Sequence, residues 1–437
     1  MSFFGIKKLF TIEGLIALSI FISSYTFFTQ PFEGYFHYII FILLLPYFIS
    51  RYGFLQLPIK IMIIPALFGI YNLAVDNVTA FGFIKIFFGM ILSINFYSYV
   101  FLYFNKNLEK LFNLYLNGIV LCCYIAIIQL VSYTIHFKTG YDYTWIFNKW
   151  KAQPGSLFGL RLNSIFPEPS QFALLLLPAV FLAIHHLISR NFIVLNLPKC
   201  ILIIGCLILT TSSTGYIGIL FSLIIFAIQF RKLVYILVVG IVAFFGFSIL
   251  YAKVDEFRSR VDSSVNLWTK DRYSIDDINS SSFVLFNNFH IAKENLMEHP
   301  LTGTGLGSYP EVYEKYSLTK ADDFLIKTGF DFNSQDGNSL FIRSMAELGI
   351  TGVLFWVLFI LRCFRFRDSA SPENITWIFS SACLLLVLGY LLRQGNYFIN
   401  GFPFFVLFYY YASKEENNVQ DETEEAYYEI SEDEKTT

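Results

Sequence analysis

The chain has 437 residues, of which 55% are hydrophobic and only 15% charged, with a formal net charge of −2. Soluble domains normally carry about 25% charged residues, so the balance excludes an ordinary water-soluble fold. With 31 basic against 33 acidic residues, it also excludes a nucleic-acid partner held by charge. The 51 Phe and 28 Tyr suit a lipid-facing surface with rings at the interface.

Continuous apolar runs recur at 10–28, 36–50, 55–75, 79–103, 112–136, 170–188, 199–212, 214–230, 233–251, 338–361, 375–392 and 397–412. Most approach the ~20 residues that cross about 30 Å of hydrocarbon. They are read as helices because they lack alternation, and because unpaired amides in lipid cost several kcal/mol each. The expected fold class is therefore an all-α polytopic membrane protein with about twelve transmembrane helices. The first run follows Lys7 and Lys8 like a secretory leader, but it lacks a small-residue cleavage site and contains Glu13, so a retained helix is expected.

Lys and Arg concentrate in alternate breaks, among them Arg51, Lys106, Arg190, Arg231 and Arg362, whereas the breaks near 29–35, 76–78 and 213 hold none. The positive-inside rule then puts both termini in the cytoplasm, and the long polar segments 137–169 and 252–337 outside. Residues 1–412 form the membrane domain. From Glu415 the chain has ten acids and one lysine, so 413–437 read as a disordered acidic cytoplasmic tail. The six cysteines lie in or beside apolar runs, where neither disulfides nor metal clusters are expected.

In the long loop, HPLTGTGLGSYPEVYEKY has glycines at 303, 305 and 307 with no strand before them. A tight loop fits better than a dinucleotide fingerprint. His290 and His299 read as ordinary exposed histidines, without a metal-spaced partner. The turn TTSSTGY, 210–216, joins two helices and reads as caps.

Ionisable groups gather at the outer boundary. Arg161 and Glu168 stand in RLNSIFPEPSQFA, where Pro167 and Pro169 set a helix start. Asp336, Asn338, Arg343 and Glu347 stand in DGNSLFIRSMAELGITG, with Arg343 and Glu347 four apart on one helix face. Arg393 closes the eleventh span in LLRQGNYF, and Lys85 lies in the fourth, either as a buried counter-ion or reaching the outer surface. Charges at membrane depth need a partner, a cavity or a task. Guanidinium forks suit diphosphate oxygens. The plainer alternative is that Arg343 and Glu347 neutralise each other and Arg393 snorkels to the interface.

Taken in order, RLNSIFPEPSQFA, SSTGYIG, HPLTGTGLGSY, DGNSLFIRSMAELGITG and LLRQGNYF resemble the bacterial O-antigen and capsular repeat-unit polymerases of the O-antigen ligase and polymerase superfamily. The resemblance covers about 160–400 and implies a GT-C-like helical fold acting on undecaprenyl-diphosphate-linked oligosaccharides, with no cofactor and no metal. A flippase and a chain-length regulator are the implied partners. On this resemblance Arg161, Arg343 and Arg393 match basic positions and imply diphosphate binding. Asn338, Glu347 and Lys85 complete the expected substrate-binding set. Glu168, the acid of the Glu-Pro-Ser signature, or Asp336 is expected to take the proton of the acceptor hydroxyl.

Two positions depart from the pattern. Gly337 stands where ligases of the superfamily carry a histidine, which leans toward a polymerase, and Thr214 stands near where relatives hold an arginine. A ligase that hands finished glycan to an acceptor is the competing enzyme reading. A lipid-linked oligosaccharide flippase is the competing transporter.

Overall fold

The computed structural model describes residues 10–28, 33–56, 59–155, 158–192, 194–230, parts of 240–269, 279–320, 332–367 and 375–414. Among them, five helices are long and apolar enough to cross a membrane: α4 (Ala80–Tyr103), α5 (Leu108–Thr134), α7 (Pro169–Ser189), α13 (Leu340–Cys363) and α14 (Thr376–Arg393). Shorter apolar helices are α1 (Ile12–Phe21), α2 (Phe36–Tyr52), α3 (Ile59–Ala74), α8 (Leu197–Leu209) and α9 (Ser213–Gln229), a single turn α6 (Lys138–Tyr141) follows α5, and a last helix, α15, covers 402–414. The chain is an all-helical, multi-pass membrane protein. The predicted span 233–251 falls largely outside the described residues, as does the acidic tail from 415.

Local chemistry marks the helix starts. Thr79, Asn107, Asn196 and Ser339 each accept a hydrogen bond from a first-turn amide of α4, α5, α8 and α13. Pro169 opens α7, where an amide hydrogen would have no partner anyway. Two small antiparallel hairpins, β1 (Thr26–Phe28) with β2 (Gly34–Tyr35) and β3 (Gln153–Pro154) with β4 (Leu160–Arg161), interrupt the helical pattern.

The centre of the bundle is α7 against α14, flanked by α8 and α9. In these two inner helices 72% and 78% of the apolar window is buried, against 39% for α4 and α13, whose remaining apolar surface faces outward. Lipid is an apolar solvent, so outward Ile, Leu and Phe on peripheral helices are compatible with burial in a bilayer.

The structure differs from the sequence reading at two spans. The run 10–28 is helical only to Phe21, because Ser23 and Ser24 turn the chain inward. There the Ser23 hydroxyl takes the Asn400 amide at 2.5 Å, and Ser24 donates to Gln171 and Asn400. The run 338–361 is not one continuous helix: α13 breaks at Gly349, with φ +62° and ψ −148°. The cause lies in the loop after Glu298. Gly305 N–H donates to the Glu347 carbonyl at 2.8 Å, Thr304 N–H to that of Ala346 at 3.3 Å, and Ile350 N–H to that of Pro300 at 2.9 Å. The loop thus pairs with the backbone groups that the break would leave unmatched.

The polar segment 252–337 is itself folded among its described residues into α10 (Asp255–Thr269), α11 (Ser280–Glu298) and α12 (Tyr309–Tyr316). Ile291, Ala292, Tyr309 and Val312 pack on Ile342, Met345 and Ala346 at the start of α13. Its glycine-rich loop, read as a tight turn, is also a contact surface. Gly307 sits at φ +87°, and a Cβ there would lie 2.2 Å from the Gly82 carbonyl oxygen of α4.

Gly307→Ala therefore forces backbone against backbone at a left-handed φ and is expected to cost on the order of 2 kcal/mol. The check is the unfolding midpoint in detergent, with Gly205→Ala as control because a Cβ there meets nothing within 4 Å. Equal midpoints for the two variants would contradict the packing described.

Candidate functional site

The segment RLNSIFPEPSQ is built as a rigid bracket. Gln129 of α5 donates to Asn163 Oδ1 at 2.8 Å and accepts from Ser164 N–H at 3.0 Å. Asn163 Nδ2 in turn donates to the Phe166 carbonyl at 2.8 Å, and Trp150 Nε1 to the Ser164 carbonyl at 2.9 Å. These side chains are buried, and Ser164 is held at φ +51°. Such a fully satisfied network fixes the backbone on either side of it.

On one side is Arg161, half-buried in β4. Its Nε donates to the Thr210 carbonyl at 3.2 Å and its Nη1 to Gln153 Oε1 at 3.1 Å, while Leu162 N–H donates to the Leu209 carbonyl at 3.1 Å. A cation therefore sits on the last carbonyls of α8, where the helix dipole favours it. On the other side is Glu168, the residue capping α7, whose backbone carbonyl accepts from Gln171 and Phe172 N–H. Its side chain is exposed, accepts from the Ser170 hydroxyl at 3.0 Å, and stands at the positive end of α7.

Arg393 ends α14, half-buried, with the Glu168 carboxylate in electrostatic reach of its guanidinium. It lines a narrow cleft between α7, α9 and α14 whose other walls include Leu177, Ile217, Phe221 and Leu392, with Thr214 beside them. The cleft is thus apolar along the helices and cationic at the end of α14. Thr214 stands in the first turn of α9, just after Thr210, whose carbonyl holds Arg161. Arg161, Glu168 and Arg393 accordingly stand at neighbouring ends of α7, α8, α9 and α14.

Arg343 and Glu347 lie apart from that opening. Arg343 Nε donates to Glu347 Oε1 at 2.9 Å and Nη1 to the Gly395 carbonyl at 3.0 Å, and the guanidinium stands 4.6 Å from the Tyr397 ring centroid. Tyr397 OH donates to Glu347 Oε2 at 2.8 Å. With 3% and 0% of their surface exposed, the two charges neutralise each other inside the bundle. Their visible effect is to hold the loop that follows Arg393.

Asp336 is half-buried, its Oδ1 accepting from Asn338 N–H at 3.1 Å and Asn333 Nδ2 at 3.2 Å. Its carbonyl presses on Gly395, where a Cβ would lie 1.7 Å away. Asn338, at φ +56°, is also half-buried. Lys85, half-buried on α4, lies in electrostatic reach of Glu33 and Arg343. Among the described residues no group of three or more His, Cys, Asp or Glu has metal-site geometry.

Sequence reasoning passed over Glu33, Tyr35, Lys149, Asn396 and Tyr397. Lys149 Nζ lies 2.7 Å from Glu33 Oε1, the Tyr35 hydroxyl donates to Oε2 of the same carboxylate, and Asn396 Nδ2 donates to that hydroxyl at 3.1 Å. Burial alone would raise the Glu33 carboxyl, but the hydrogen bonds from Lys149 and Tyr35 and the charges of Lys149 and Lys85 outweigh it and hold it below the ordinary carboxylate range. One signal was available: Glu33 is the only acid between Glu13 and Asp76.

Removing one member of the buried pair leaves the other uncompensated, so Glu347→Ala is expected to destabilise by about 3–5 kcal/mol. Replacing both, as Arg343→Met with Glu347→Leu, should recover most of that loss. Detergent unfolding midpoints decide, and a Glu347→Ala protein as stable as one carrying the exposed change Glu109→Ala would refute the pairing argument.

Residues 199–357 match the profile of a family described as O-antigen ligase. A search of curated proteins returned no match. The matched stretch takes in the 210–216 turn, the 299–309 loop, Asp336, Asn338, Arg343 and Glu347, while Lys85, Arg161, Glu168 and Arg393 lie outside it. Over these residues the chain is similar to the O-antigen ligase family, a polymerase and ligase family of lipid-linked polysaccharide biosynthesis.

Proposed function

We propose that this protein joins undecaprenyl-diphosphate-linked repeat units into a surface polysaccharide at the outer face of the bacterial cytoplasmic membrane. In this reading it has about twelve spans, a GT-C-like arrangement and both termini in the cytoplasm. The observation that carries the reading is the apolar cleft with Arg393 standing on it and Glu168 alongside. Hydrocarbon walls leading to a guanidinium match a lipid chain that ends in a diphosphate.

The chemistry follows from those parts. The acceptor hydroxyl oxygen attacks the anomeric carbon of the donor, the bond from that carbon to the diphosphate oxygen breaks, and undecaprenyl diphosphate leaves with the electron pair. Arg393 and Arg161 stabilise the charge that develops on the leaving group, so the step calls for no metal. The hydroxyl proton goes to a carboxylate, Glu168 or Asp336. Arg343, Glu347 and Asn338 hold the loops that carry these groups. A flippase delivers the repeats, and a chain-length regulator is the expected companion.

Position 337 supports a polymerase over a ligase. Gly337 is at φ +68°, and a Cβ there would lie 2.8 Å from the Tyr309 ring, so this backbone has no place for the histidine of the ligase pattern. The description of the matched family favours the ligase reading instead. Long glycan accumulating on undecaprenyl diphosphate in a deletion strain would select the ligase.

Arg393→Ala and Glu168→Ala should each lower polymer formation by about 10²-fold or more, the scale of losing one transition-state contact. On a gel of surface glycan, single repeats then replace the long ladder. A wild-type ladder from both variants would sink the site assignment, and transport of lipid-linked repeats by vesicles holding this protein alone would replace the polymerase with a flippase.

A further inference from the structure

The chemistry above leaves one polar cluster without a role. Glu33, Tyr35 and Lys149 form the hydrogen-bonded group described, and Asn396 joins it from the loop just after Arg393. The Glu33 and Lys149 side chains keep 39% and 35% of their surface exposed, so the pair is accessible. Lys149 Nζ also lies 5.7 Å from the Tyr35 ring centroid. Lys85 brings a second cation to Glu33, and among the described residues no hydrogen bond or ion pair engages it. The Asp336 charge also reaches Tyr35. Five segments distant in sequence are thus drawn together beside the Arg393 loop.

Charge indicates what such a cluster holds. Two cations, Lys85 and Lys149, stand by the Glu33 carboxylate, the Asp336 charge reaches the adjoining Tyr35, and the Arg343 charge is closed by Glu347. A diphosphate would gain little from a balanced cluster, because each cation it approaches stands beside an anion. A neutral polyhydroxyl ligand is better matched: carboxylates accept from its hydroxyls, and ammonium and amide groups donate to them. A half-exposed, charge-rich group next to an aromatic ring is also the kind of adaptable polar surface that orients a ligand rather than one that fills a core.

We propose that Glu33, Lys85, Lys149 and Asn396 form the subsite for the acceptor sugar, binding the hydroxyls of the incoming repeat unit and presenting it beside Arg393. The identity of the ligand rests on the polymerase reading; the existence of a neutral-glycan subsite rests on the cluster. No bond is made or broken there. Sugar recognition would then lie in segments outside the family-matched stretch, apart from Asp336.

The test uses the purified full chain with Glu33→Gln, Lys85→Met or Lys149→Met. Two quantities are read: the affinity for undecaprenyl diphosphate alone, and the KM for lipid-linked repeats as acceptor. Loss of one charge-assisted hydrogen bond implies an acceptor KM raised about tenfold or more, with undecaprenyl diphosphate affinity within about twofold of wild type. A wild-type acceptor KM in both Glu33→Gln and Lys85→Met overturns the proposal. So does a loss of undecaprenyl diphosphate affinity as large as that in Arg393→Ala, which would make the cluster a diphosphate site. If Glu33→Gln lowers the unfolding midpoint, Lys85→Met decides alone. Unchanged undecaprenyl diphosphate affinity in Arg393→Ala would sink the polymerase reading instead, so the two failures are separable.

Discussion

A helix broken inside a membrane bundle must have its exposed backbone groups satisfied by protein, because lipid offers none. At Gly349 that demand is met by the loop 300–305, whose amides and carbonyls bond to Ala346, Glu347 and Ile350. Much else follows from this insertion. It fixes the first turns of α13, and with them Arg343 and Glu347. It also anchors the polar segment 252–337 to the bundle, since the same loop continues into the contact of Gly307 with Gly82.

The buried Arg343, Glu347 and Tyr397 then act on the site at one remove. By taking the Gly395 carbonyl, Arg343 sets the path of the chain directly after Arg393. That path runs on to Asn396, which reaches Tyr35, and to Asn400, which joins Ser24 and Gln171 at the start of α7. A single stretch, 393–400, therefore ties together the cleft, the Glu33 cluster and the helix that carries Glu168. Such a junction holds groups from both halves of the chain close together without long flexible connections.

The arginines divide by environment rather than by type. Arg343 is paired and enclosed, so its energy goes into geometry. Arg161 caps α8 through Thr210 and still lies half-open on the segment leading to Glu168. Arg393, also half-buried, stands on an apolar cleft, the setting in which a guanidinium interacts most strongly with an anionic head group.

Length, hydropathy and the scarcity of charge were enough to determine from sequence alone that the chain is helical and crosses a membrane many times, because an apolar run of sufficient length has no other stable form in lipid. The four-residue spacing of Arg343 and Glu347 likewise told that they share a face, and the Glu-Pro-Ser motif marked the start of α7. Tertiary structure alone decided the rest. Apolar periodicity carries no sign that a distant loop would open α13 at Gly349, or that Ser23 and Ser24 would stop α1. Nor does an isolated acid in a short break announce a lysine 116 positions later in the chain as its partner. Those outcomes depend on backbone and charge complementarity between remote segments, a property that exists only once the bundle has assembled.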